Sequence, residues 1–259
     1  MTMKHNRLLV SIVVLVLWAA ATMFGAQVLA GGEEISLDSL VQRGIGWQFV
    51  AAIAILLGAI ALFRWRDIGF TAPHDLLRIL WFPGLYLVVF AALIVLFGLP
   101  PARVAGLVFV NTMMVGFSEE VMFRGVLLRA SLERMSMWAA IGLNMALFGG
   151  VHAFNGFITG DFGAAALQSL AAAMSGLVFI AIVLRTGSIW PAIVYHGLWD
   201  CALFLIGLAA NGSGGGESAG GAAGQLPAYG ALLPMALVLP NFLFALFVLR
   251  KVGGKAKAA

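Results

Sequence analysis

An all-α, polytopic membrane helical bundle of about eight transmembrane helices is the fold this sequence predicts, and three observations predict it. Charged residues make up only 10% of the 259 residues while 62% are hydrophobic, at a mean hydropathy of +1.03. A soluble domain carries about 25% charged residues. So few charges cannot cover a water-soluble particle of this size, so the bilayer is the solvent. Apolar runs of the roughly 20 residues that a spanning helix needs recur along the chain. The basic residues sort to alternate connections between those runs.

The runs are 8–30, 45–63, 79–99, 104–123, 137–154, 162–184, 189–210 and 230–249. The first follows Lys4 and Arg7 and ends in Val28-Leu29-Ala30, which resembles a signal-peptidase site. It is longer than a usual signal core and contains Trp18, so it is read as a retained span. The fifth is the shortest, and without it the count is seven. The sixth is rich in small residues (Ala164 to Ala166, Ala171 to Ala173, Ser175, Gly176), which allow helices to approach closely and so point to packing. Between spans, 31–44 carries Glu33, Glu34 and Asp38, and 211–224 reads NGSGGGESAGGAAG, a linker without structural signal. No internal repeat is visible. The chain divides into helices one to three (1–103), a core of helices four to seven (104–210), a Gly-rich loop (211–229), and a last helix with a basic tail (230–259).

With the N terminus in the cytoplasm, eight crossings place Lys4, Arg7, Arg64, Arg66, Arg78, Arg124, Arg129, Arg134, Arg185, Arg250, Lys251, Lys255 and Lys257 inside. Only Arg43 and Arg103 of the 15 basic residues fall outside. That asymmetry is what the positive-inside rule requires, so both termini are expected in the cytoplasm of an integral membrane protein. The formal charge of +4 is therefore a topology signal. With no zinc-finger spacing, helix-turn-helix pattern or basic aromatic patch, nucleic acid is excluded as a partner; the bilayer is the expected one. The single cysteine, Cys201, allows no intrachain disulfide and no cysteine-based metal site, and lies in an apolar run where packing is its expected role.

Ionisable groups in the hydrocarbon core are expensive, by about 2.5–3.5 kcal/mol each on insertion scales, and are functional by default. Apart from tyrosines and the cysteine, the spans contain Glu119, Glu120, His152, His196 and Asp200, with Arg124 just past the nominal end of the fourth. They occupy only the fourth, fifth and seventh spans, which suggests one polar pocket facing the bundle interior. Residues four apart share a helix face. Glu120 and Arg124 have that spacing, as do His196 and Asp200, and as do Phe148 and His152, where the phenyl can pack beneath the imidazole. Glu119 and Glu120 diverge by about 100° on a helix. Glu119 is therefore assigned to the pocket and Glu120 to Arg124, a structural partner. A carboxylate in a low-dielectric pocket suits a general base, and two imidazoles can orient water, bind a metal or polarise a carbonyl. The alternative is that the same groups form a salt-bridge network that only locks the bundle.

Glu119-Glu120-Val121-Met122-Phe123-Arg124 resembles the EExxxR motif of the CAAX prenyl protease and bacteriocin-processing (CPBP) family of intramembrane proteases. Phe148 to His152 resembles its FxxxH motif, and His196 to Asp200, after Trp190-Pro191, its HxxxN/D motif. The resemblance covers about 104–208; the first three spans and the last are generic. It implies an α-helical endopeptidase in a bacterial plasma membrane, acting on a membrane-associated protein or peptide. Glu119 with His152 would activate water, His196 with Asp200 would stabilise the oxyanion, and Glu120, Arg124 and Phe148 would hold the site together.

The prenyl-protein-processing members resemble the Asn version of the third motif, whereas this chain has Asp200. An ionised carboxylate cannot donate to an oxyanion. Asp200 is then protonated, or orients His196, or helps to bind a metal. No cofactor is required; zinc, held by Glu119, His152, His196 and Asp200, is the alternative, and would make the protein a metalloprotease. Two other functions compete: a non-enzymatic membrane scaffold or immunity-type protein, and a small transporter using the acids as a proton relay. The transporter lacks repeated halves and paired broken helices.

Depth sets a difficulty. At 1.5 Å per residue, Glu120 is about 14 Å from Arg129 and His196 about 12 Å from Ser188, but His152 is about 21 Å from Trp138. A tilted or early-starting fifth helix would reconcile them.

Overall fold

The computed structural model describes residues 7–31, 44–212 and 232–250, and these are helical apart from short connections. Eight principal helices follow the chain: α1 (Arg7–Ala30), α2 (Trp47–Phe63), α3 (Leu76–Phe97), α4 (Ala102–Leu132), α5 (Met137–Ala153), α6 (Phe162–Thr186), α7 (Trp190–Gly212) and α8 (Leu233–Leu249). A four-residue helix, Gly156–Thr159, links α5 to α6. Six are long and apolar enough to cross a membrane; α2 and α8 are apolar but shorter, at 17 residues each. That length is the lower limit for a span. The connections read as 31–44 and 211–224 lie almost wholly outside the described residues, as do Lys4, Arg43, Lys251, Lys255 and Lys257.

Local signals explain the helix ends. Pro101 starts α4, and its fixed φ suits a helix entry. Ser136 accepts a hydrogen bond from the Ala139 N–H to open α5, and Asp161 accepts from Ala164 to open α6. Gly187, at φ +69°, closes α6.

The fourth span corrects an expectation. It was to end at Phe123, yet α4 runs on to Leu132 and widens to π geometry over Val121–Leu127. Arg124 marks no helix end because it is fully buried and its charge is met inside the protein. The segment from Val121 to Leu128 is wholly enclosed, whereas over 102–110 every residue but Val108 is at least partly exposed. Helices α6 and α7 are the most buried, α5 packs along α6, and α7 crosses α4.

Arg7, the α2–α3 connection and the α4–α5 turn meet at one end of the bundle. There Arg7 donates to both oxygens of Asp67, at 2.8 and 2.9 Å, and to Glu133. The α6–α7 turn lies at the same end, where Thr71 donates to the Gly187 carbonyl at 2.7 Å and Ser188 to that of Thr71 at 2.6 Å. Alternating crossings produce this grouping.

Candidate active site

Two close helix crossings bring the polar residues together. Gly116 of α4 and Gly197 of α7 face each other. A Cβ on Gly116 would lie 2.8 Å from the Gly197 nitrogen, and one on Gly197 3.1 Å from Met113 Cα. Only glycine allows backbones to approach like this, and one turn along α4 this sets Glu119 and Glu120 beside His196. On the other side, Gly149 of α5 presses on α6, where a Cβ would fall 2.6 Å from the Ser169 carbonyl. Ser169 donates to the Gly149 carbonyl at 2.7 Å, fixing the last turn of α5, which carries His152.

At the centre, Glu119 Oε2 lies 3.9 Å from His152 Nε2 and 3.8 Å from His196 Nε2. These gaps are too long for direct hydrogen bonds. Glu119 Oε2 is itself buried and has no hydrogen-bond partner. His152 Nδ1 is 2.7 Å from the Phe148 carbonyl, which can only accept, so Nδ1 carries a proton and Nε2 is the ring nitrogen turned toward Glu119. His196 Nδ1 is 2.9 Å from Glu120 Oε1, and its Nε2 is 3.4 Å from Asp200 Oδ2. Glu120 also accepts from Arg124 Nη1 at 3.1 Å, so the helix-face division of the two glutamates is the one observed. Side-chain exposure grades across the site, from 0% at Glu120 and Arg124 and 6% at His196 to 14% at Glu119, 16% at His152 and 28% at Asp200. Glu119, His152 and Asp200 form its open edge.

Arg124 is satisfied on several sides. Its Nη2 donates to the Gly176 carbonyl at 3.1 Å, and its guanidinium carbon lies 4.2 Å from the Phe148 ring centroid and 5.0 Å from that of Phe179. Phe148 meets His152 edge to face at 4.8 Å, and Phe179 stacks on His196 at 4.4 Å and 17°.

The depth difficulty dissolves without any early start to α5, which begins at Met137. Glu119 lies roughly 20 Å from the Leu132 end of α4 and His152 roughly 22 Å from Met137, so the two antiparallel helices match. The seventh helix was the misleading ruler. Thr186, Ser188 and Ile189 are fully buried, so α7 starts inside the bundle, beneath the α2–α3 connection. There the Ile189 N–H donates to the Gly69 carbonyl at 2.9 Å.

Other contributors went unseen in the sequence. Gly176, read as packing, supplies the carbonyl for Arg124. Asn144 donates at 2.7 Å to the Phe123 carbonyl in the π segment; the spacing Asn144, Phe148, His152 on one face of α5 was the available signal. The outer spans are less generic than expected. Trp18 of α1 donates at 2.7 Å to Ser118, next to Glu119, and Asn241 of α8 donates at 3.1 Å to Tyr195. Nothing local in α1 or α8 announces such contacts.

On its Glu119 side the donor set is wider than a tetrahedral zinc site, while His196 and Asp200 stand 3.4 Å apart. Donors around a tetrahedral zinc ion lie about 3.3–3.6 Å apart, whereas Glu119 is 3.9 and 3.8 Å from the two imidazoles. Among the described residues no group of three or more His, Cys, Asp or Glu is arranged to hold a metal ion.

Residues 101–202 match the family model described as Type II CAAX prenyl endopeptidase Rce1-like. All three motifs lie within that stretch, and the resemblance drawn from them holds. No curated protein and no solved structure matches the chain.

Proposed function

We propose that the protein is an intramembrane endopeptidase that hydrolyses a peptide bond in a membrane-associated protein or peptide. One observation carries the reading: a buried carboxylate oxygen, Glu119 Oε2, without a hydrogen-bond partner, stands between two imidazole nitrogens at 3.9 and 3.8 Å. A water oxygen can reach Glu119 and either imidazole at hydrogen-bond distance across such gaps. Glu119 takes one proton from the water as its oxygen attacks the scissile carbonyl carbon, and His152 Nε2 accepts the second hydrogen bond and orients the nucleophile. His196, as an imidazolium, gives Nδ1–H to Glu120 and turns Nε2–H toward the carbonyl oxygen, where it stabilises the tetrahedral oxyanion. Asp200 orients that Nε2. Collapse of the intermediate breaks the C–N bond, and Glu119 returns its proton to the leaving amine. Arg124 holds Glu120, and through it His196. The Arg7–Asp67–Glu133 end of the bundle is read as cytoplasmic.

The test compares membrane peptidomes of cells carrying the wild-type protein and Glu119→Ala. New termini that appear only with the wild type identify the scissile bond; identical peptidomes would remove the hydrolase reading. Cleavage of that bond by the purified protein should persist after chelator treatment. A loss restored by added zinc would reinstate the zinc alternative.

A further inference from the structure

The family motifs lie on α4, α5 and α7, and α6 carries none. Yet α6 touches the buried half of the site at two residues one turn apart. Gly176 accepts from Arg124, and Phe179 lies flat against His196, with ring centroids 4.4 Å apart and planes at 17°. Phe179 is 3% exposed. It also faces the Arg124 guanidinium at 5.0 Å, so one ring touches both the imidazole and the arginine held by Glu120.

The imidazole needs such a surface. Its Nδ1 end is pinned by a single hydrogen bond to Glu120 at 2.9 Å. Together with the Cβ–Cγ tether that bond restrains the ring only loosely, because a carboxylate oxygen accepts over a broad range of angles. The gap from Nε2 to Glu119 is too long to hold the other end, and Asp200 at 3.4 Å is a weak second anchor at the exposed edge. Phe148 meets His196 only by its edge, at 6.1 Å and 80°. The flat contact with Phe179 therefore completes the restraint on the plane of the imidazole. A leucine would keep much of the volume and lose the flat face.

We infer that Phe179 is a positioning residue, setting the plane of His196 so that Nε2 points at the reaction centre. The inference rests on the endopeptidase reading. A displacement of about 1 Å at a reacting group is enough to lower a rate roughly 100-fold.

The experiment measures kcat and KM on the bond identified by the peptidome comparison, using full-length protein in detergent below the lowest melting temperature of the set. Phe179→Leu should lower kcat roughly 10- to 100-fold with KM changed less than about twofold, while Phe179→Tyr, which keeps the flat ring, stays within about threefold of wild type. Ile180→Ala, a fully buried neighbour on the same helix, is the packing control and should leave kcat near wild type. Phe179→Met serves as the second flexible replacement if Phe179→Leu does not fold. Wild-type kcat in the Leu or Met variant, or equal losses in the Tyr and Leu variants, would overturn the inference. Activity retained by Glu119→Ala would overturn the hydrolase reading beneath it, and the two failures are read from different variants.

Discussion

Arg7 and Arg124 are both ion-paired, in settings that could hardly differ more. Arg7 bridges Asp67 and Glu133 at the end of the bundle; its partners are 51% and 44% exposed, and water can replace either contact. Arg124 and Glu120 are both at 0% exposure. Arg124 has a carboxylate, a backbone carbonyl and two aromatic faces in place of solvent, and its carboxylate partner also holds the imidazole of His196. Exposed pairs are worth about 0–1 kcal/mol because water competes and salt screens. Removing one member of a buried pair strands the other. Such a pair adds little net stability, and here its carboxylate also meets His196 Nδ1. The comparison separates an ion pair that clamps connections from one that aims the imidazole of His196.

The largest effect expected is at Glu119, beside the imidazole that the buried pair holds. Glu119→Ala should reduce cleavage about 1,000-fold or more, since it removes the proposed general base. The protein should still fold, because Glu119 Oε2 makes no hydrogen bond that the bundle would lose. Rate and melting temperature measured on one preparation check both halves. An inactive and unfolded variant would place Glu119 with Arg124 as a structural group.

Arg124→Met comes next. It leaves the Glu120 carboxylate buried with only His196 as partner, and should destabilise the protein by about 3–5 kcal/mol. Denaturant unfolding in detergent measures it. Arg124→Lys should recover only part of the loss, because an ammonium cannot reach Glu120 and the Gly176 carbonyl in the planar fork of a guanidinium. A loss under about 1 kcal/mol for Arg124→Met would place this pair in the same class as Arg7.

The contrast between the two arginines also marks what the sequence could and could not convey. Scarcity of charge, span-length runs and spacing by four made the bundle, the shared pocket and the Glu120–Arg124 pairing legible, because these depend on composition and on positions within one helix. Contacts between helices that carry no periodic signal were not legible. Phe179 and Gly176 meet Arg124 and His196 across α6, α4 and α7, and Trp18 reaches Ser118 from the far end of the chain. The end of α4 was misjudged for the related reason that an arginine after an apolar run looks like an interface residue until its buried partners are known. The depth of α7 required the turn before it to be seen folded under Gly69.

Asp200 tests the open edge of the buried cluster. Asp200→Asn keeps a side chain able to orient His196 Nε2, so cleavage should fall by less than about tenfold, while Asp200→Ala should lose about 10- to 100-fold. Equal losses in the two variants would mean that the negative charge itself is needed, and would move Asp200 from orienting His196 toward balancing its charge.

The smallest effect belongs to the exposed clamp. Burial of Asp67 opposes its ionisation, but the hydrogen bonds and charge of Arg7 outweigh it and hold the carboxyl below the usual carboxylate range. A carboxyl with a lowered folded-state pKa contributes stability that is fully present above its unfolded pKa and is lost as the pH falls through the folded one. Arg7→Gln should therefore destabilise the protein by only about 0.5–1 kcal/mol at neutral pH and low salt. That difference should shrink as the pH is lowered below about 4, the ordinary carboxylate value, and shrink again in molar salt. Melting temperatures of the two proteins across pH and ionic strength provide the check. A difference that ignored both pH and salt would show that Arg7 acts through the packing of its stem on Trp65, whose ring centroid lies 5.4 Å from the guanidinium, and that charge has little part at this end of the bundle.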